Sequence, residues 1–202
     1  MQILIATQNP GKIREYQRLF ADVEIDFVGL ADIGLGDMDV DETGDSFEAN
    51  AELKARAYAD RSKLWTMADD SGLMVDALGG APGVYSARYG GKDLDHAGKR
   101  QKMLGELATI PASERRAKFV CVIAIAKPDH DDITLVRGEC LGQITADERD
   151  EGNGFGYDPI FMPDGYDRTF GQMPAHRQIF GSRHSRATCI MLRRMWRPHK
   201  DS

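Results

Sequence analysis

Short apolar runs alternate with polar turns along this chain, and the runs differ in period. Residues 2–6 (QILIA) are continuously apolar and end in a turn, as a buried strand does. Over residues 12–20 the period lengthens. Ile13, Tyr16, Leu19 and Phe20 fall on one face and predict an amphipathic helix. Residues 31–46 are acidic and glycine-rich and predict a loop. A second helix is expected from Ser46 to Asp60, with Asp45 as N-cap and Glu48 three residues on, as in a capping box. LWTMA (64–68) predicts a short strand running into Asp69-Asp70-Ser71-Gly72, and LMVDAL (73–78) another, broken by GGAPG at 79–83.

Residues 95–108 predict a helix, and 117–127 and 133–145 two strands joined by a polar turn at Pro128–Asp132. A glycine-rich stretch at 152–158 leads into PIFMP, and a last helix is expected to start near Arg186. Helices and strands are interspersed, with a strand pair in the middle. That order predicts an α/β fold with a mixed sheet rather than a purely parallel one.

At 202 residues the chain is long enough for one domain spanning 1–202 with a substantial core. No apolar run approaches the roughly 20 residues needed to cross a bilayer. The opening MQILIATQNPGK has no basic start, long apolar stretch or small-residue cleavage site, so a cytoplasmic protein is expected. A net charge of −6 argues against binding a nucleic-acid polymer, which requires a basic face, but leaves room for a small anion at a local cluster of lysines. Cys121, Cys140 and Cys189 have no metal-type spacing, and Cys121 lies in an apolar strand, so no chemistry is assigned to them.

Four segments carry candidate chemistry. Thr7-Gln8-Asn9-Pro10-Gly11-Lys12 joins a strand to a helix, where free N–H groups and the helix dipole attract phosphate. Lys12 adds a full charge, but an ordinary turn with a solvated lysine has the same pattern. Asp69 and Asp70 follow an apolar strand and can hold Mg²⁺ or take a proton from water. They also fit a simple polar turn. On the helix from Ser46, Asn50 and Lys54 share a stripe that can face a ligand, while Glu48, Glu52 and Arg56 form a neighbouring one suited to helix ion pairs. Glu42, just upstream, is either a metal ligand or part of an acidic loop. In Gly152-Asn153-Gly154-Phe155-Gly156-Tyr157-Asp158, the aromatic ring between glycines can stack on a base and Asp158 can accept from its edge. A tight turn would look similar.

Taken together, TQNPGK at 7–12, DETGDSFEANAELKA at 41–55, ADDSGLMVDALGGAPGVYSARY at 68–89 and GFGYDPIF at 154–161 resemble the inosine/xanthosine triphosphate pyrophosphatase family. The resemblance implies an elongated mixed β-sheet flanked by helices, with two lobes around a central cleft. It also implies a homodimer, dependence on Mg²⁺, and hydrolysis of ITP, dITP and XTP to the monophosphate and pyrophosphate, which removes deaminated purines from the nucleotide pool. Position by position it implies that Thr7, Asn9 and Lys12 hold the triphosphate, within the 7–12 segment that includes Gln8, Pro10 and Gly11, and that Lys54 assists. Glu42 and Asp70 would bind Mg²⁺, with Asp69 in support, and Asp70 would be the catalytic base. Ser71 would contact substrate, Phe155 would stack on the base, and Gly156, Tyr157 and Asp158 would line its pocket.

One segment departs from the family pattern of a Lys followed by Ser-His-Arg. Gln178 stands at the lysine position beside Arg177, and the pair reads Arg183-His184. These three, Gln178, Arg183 and His184, are the remaining candidates for reading the base. The departure keeps two alternatives open: a Maf-like pyrophosphatase with another base preference, and a nucleotide-binding protein impaired in catalysis.

Overall fold

In the computed structural model, residues 1–8, 12–13, 16–17, 25–91, 93–152 and 154–174 are described. Their strands are β1 (Gln2–Ile5), β2 (Asp26–Gly29), β3 (Trp65–Val75), β4 (Arg116–Ala126), β5 (Ile133–Ile144) and β6 (Phe161–Pro163). They form one sheet in the order β2-β1-β3-β4-β5-β6. β1 runs parallel to both β2 and β3, whereas β5 and β6 are antiparallel, so the sheet is mixed as expected. The helices are α1 (Phe47–Ser62) and α2 (His96–Glu106); Lys12, Ile13, Tyr16 and Gln17 are also helical, within the stretch expected to be. The helix expected from Arg186 lies outside the described residues.

The chain divides into two compact units. Among the described residues, unit 1 lies within 1–70 and 122–137, and unit 2 within 71–121 and 138–174. In unit 1 the core is aliphatic. Ile3, Leu4 and Ile5 of β1, Met67 of β3 and the run Val122–Ala126 of β4 are inaccessible or nearly so. α1 contributes Ala51, Ala55 and Ala59, spaced four apart, so that a stripe of small side chains is buried with Phe47 and Tyr58. The core of unit 2 is aromatic. Phe119, Phe161 and Phe170 meet with ring centroids 4.7 to 6.0 Å apart, among Leu73, Val75, Met103, Leu107 and Ile160.

Three local expectations are corrected. The two strands expected at 64–68 and 73–78 are one continuous strand, β3, which passes through Asp69-Asp70-Ser71-Gly72. Those aspartates looked like turn residues, but both are buried in the strand and their charges are met by other side chains. The α1 N-cap is Ser46 rather than Asp45: the Ser46 Oγ accepts from the Ala49 N–H at 3.2 Å. The entry to α1 is fixed one residue further along because Asn50 reaches back to accept from the Gly44 N–H at 2.8 Å. A Cβ at Gly44 would lie 2.7 Å from that Asn50 oxygen, so only glycine fits. β2 was not anticipated; four residues, DFVG, are too few to show a period.

Candidate functional site

In unit 1 the candidate side chains converge on the middle of β3, at Asp69 and Asp70. Strand alternation sends neighbouring side chains opposite ways, and Asp69 and Asp70 accordingly take different partners. Asp69 is ion-paired with Lys12. Asp70 accepts from the Asn50 side-chain amide at 3.1 Å, and its other oxygen lies 3.8 Å from the Lys54 Nζ. The same Lys54 Nζ donates to Glu42 at 2.5 Å. One ammonium group therefore lies between Glu42 and Asp70, the two residues expected to bind metal. Asn50 is wholly buried, with both ends of its amide used: one tethers the loop at Gly44, the other orients Asp70. This amide links the acidic loop, α1 and β3.

The neighbouring stripe on α1 has the plainer role. Arg56 pairs with Glu52 at 2.8 Å, and Glu48 with Arg137 at 2.7 Å, all partly solvated. The Thr7 N–H donates to the Ile5 carbonyl at 2.9 Å, while Gln8 is exposed, its amide 3.5 Å from the Met38 carbonyl. Asn9, Pro10 and Gly11 lie outside the described residues, as do Arg177, Gln178, Arg183 and His184.

In unit 2 a pocket of about 180 Å³ is walled by Ser71, Ser86, His96, Phe119, Phe155 and Tyr157, among others. Of the expected base-site residues it takes Ser71, Phe155, Gly156 and Tyr157. Phe155 is half exposed. Asp158 is instead buried beneath its own loop, where it accepts from the Phe155 N–H at 3.1 Å. Asp150 accepts from the Gly152 and Gly154 N–H groups, each at 3.0 Å, and so holds the approach to Phe155. Two of the hydroxyls in the wall serve the protein. The Ser86 Oγ accepts from the Leu73 N–H at 2.9 Å and donates to the Gly83 carbonyl at 2.6 Å. The Tyr157 hydroxyl donates to the Ser86 carbonyl at 2.9 Å, and burial pushes its pKa up to about 12, so it remains a donor at any physiological pH.

Sequence reading missed Ser86 and His96, and also Arg100, which reaches the loop from α2. Only Ser86 left a trace, inside the VYSARY run already matched. The others meet Phe155 and Gly156 from more than fifty residues away, and no local pattern reports that. Among the cysteines, Cys121 is a core residue as expected, and burial raises the Cys140 thiol to about 11, well above the reactive range. Cys189 lies outside the described residues.

Fold and side chains define an α/β protein with a cluster of lysines and carboxylates in unit 1 and an aromatic-lined pocket in unit 2. The chain belongs to the Ham1 family, whose profile matches residues 3–193. It is 40% identical over 183 residues to a dITP/XTP pyrophosphatase of Oceanobacillus iheyensis, covering 90% of this chain and 92% of that protein. It is 44% identical over 175 residues to one of Rhodopseudomonas palustris, covering 85% and 81% respectively. Among solved structures, the Ham1 protein of Staphylococcus aureus superposes with a TM-score of 0.86 at 38% identity, covering 96% of this chain and 97% of that one. A HAM1 protein from Coxiella burnetii gives 0.89 at 37% identity, covering 96% and 98%.

Proposed function

We propose that this protein hydrolyses non-standard purine nucleoside triphosphates, with ITP, dITP and XTP as substrates, to the monophosphate and pyrophosphate. The observation that carries the reading is the Lys54 ammonium between Glu42 and Asp70, in a chain whose relatives are named dITP/XTP pyrophosphatases. The family match over residues 3–193 weighs against a Maf-like enzyme. The complete set of lysines and carboxylates weighs against a binding protein without catalysis.

Mg²⁺ fits the donors present. Glu42 and Asp70 offer hard carboxylate oxygens, and one cation already bridges them. When bound, Mg²⁺ would neutralise charge on the phosphates.

The chain's own residues do the rest. Lys12 and Lys54, now held by carboxylates, would turn to the triphosphate, whose charge is the stronger partner. Asp70, oriented by Asn50, would accept a proton as water attacks the α-phosphorus; the α–β bridge breaks and pyrophosphate leaves with the bond's electrons. Phe155 would stack on the base. Because shape alone separates a 6-keto purine weakly from its relatives, directed polar groups around that ring would supply the selectivity. The reading includes a homodimer working in the cytoplasm; among the described residues no helix is long and apolar enough to cross a membrane.

The test is release of pyrophosphate from ITP, dITP, XTP, ATP, GTP and dTTP, with and without Mg²⁺. Release confined to the first three and dependent on Mg²⁺ is expected. Equal release from all six would overturn the base preference, and none from any would overturn the activity.

A further inference from the structure

Phe155 stands between Gly154 and Gly156, and Gly156 has a φ of +60°, so the loop has little stiffness of its own. A stacking surface half exposed to solvent must be held by contacts from elsewhere. Two of these lie within the pocket's own segments: Asp158 on the Phe155 N–H, and Tyr157 on Ser86. The other two come from α2. The His96 ring packs against Phe155 with centroids 4.5 Å apart at 63°, a T-shaped contact. One turn further on, the Arg100 Nη1 donates to the Gly156 carbonyl at 2.9 Å, while Nη2 is ion-paired with Glu148 at 3.0 Å.

The Arg100 contact sets a peptide as well as a position. The Gly156–Tyr157 bond is trans and planar, so anchoring the carbonyl fixes the Tyr157 N–H in the opposite direction. The guanidinium holds this arrangement although its buried Nε has no hydrogen-bond partner among the described residues. A buried donor left unmatched is costly, which marks the grip on Gly156 and Glu148 as the contact that is favoured. With the Ser86 and Tyr157 hydroxyls occupied inside the protein, ring angle and peptide direction become the means by which this wall discriminates.

We propose that His96 and Arg100 are positioning residues that set base specificity through the Phe155–Tyr157 loop. The proposal rests on the reading of that pocket as the base site.

The experiment is steady-state kinetics on ITP and GTP with the full chain and the variants Arg100→Gln, Arg100→Lys, His96→Ala, His96→Phe and Phe155→Ala. Arg100→Gln is expected to raise KM for ITP about tenfold, to leave kcat within about twofold, and to lower the ITP-to-GTP preference about tenfold. Arg100→Lys, which can satisfy one of the two partners, should fall between. His96→Ala should shift KM and preference about threefold in the same direction, and His96→Phe, which keeps a ring, should restore them. If Arg100→Gln fails to fold, the exposed His96 pair decides. Wild-type KM and preference in folded Arg100→Gln, or in His96→Ala, would overturn the proposal while a raised KM in Phe155→Ala left the base site standing. An unchanged KM in Phe155→Ala would overturn both.

Discussion

Unit 1 holds its candidate groups chiefly by ion pairs between side chains, and unit 2 chiefly by backbone and ring contacts. Asp69, Asp70, Glu42, Lys12 and Lys54 sit in ion pairs, two of them buried in β3, and the uncharged Asn50 amide also meets Asp70. Around Phe155 the ties include a ring contact, backbone N–H groups on carboxylates and a tyrosine hydroxyl on a carbonyl, to which Arg100 adds a charged donor. The difference follows from the ligand each would meet. On the proposed reading, buried charges kept in pairs would exchange partners when a polyanion and a metal arrive. A base is neutral, and its wall needs shape and fixed direction more than field.

Breaking the charged half should have the largest effect. Asp70→Asn keeps the shape and can still accept from Asn50, so the protein should fold, but turnover should drop about a thousandfold or more, read by pyrophosphate release. Near-normal turnover would remove Asp70 from the catalytic role. A second test measures how far the ions depend on one another. Lys12→Ala removes the ammonium paired with the nearly inaccessible Asp69 carboxylate and should destabilise by about 2–4 kcal/mol in urea melts. Adding Asp69→Asn should recover part of that loss, and strict additivity would show the pair to be uncoupled.

The aromatic half should respond more gently. Phe155→Ala should raise KM about tenfold with kcat nearly unchanged, since one stacked base contributes about 1–3 kcal/mol. A fall in kcat with KM constant would place Phe155 elsewhere in the reaction. The smallest effect concerns Tyr157, whose folded pKa of about 12 lies above its ordinary value near 10. Its contribution to stability is complete below pH 10 and is lost as pH rises from there through 12. Thermal melts across that window should show a decline that is shallower in Tyr157→Phe.

The two halves were unequally legible in the sequence. Lys12, Asn50, Lys54, Asp69 and Asp70 stood out because strand ends and helix stripes are local patterns, and the structure brings them together at the middle of β3. The same locality misled over β3 itself: two aspartates before Ser-Gly look like a turn, and only their distant partners make an unbroken strand possible. The α1 cap shifted by one residue for a similar reason, since Asn50 reaches back to Gly44. Phe155 was visible between its glycines, whereas His96 and Arg100 were not, because their contacts to the loop span 59 and 56 residues.

The unbroken course of β3 also limits how this segment can change over generations. Point replacements at 69 or 70 alter one partner at a time. A residue inserted upstream in the strand would instead exchange the faces, presenting Asp69 where Asp70 belongs and moving every side chain beyond it into the packing of the opposite face. Length variation among descendants of this chain should therefore collect in the loops on either side and spare residues 65–75.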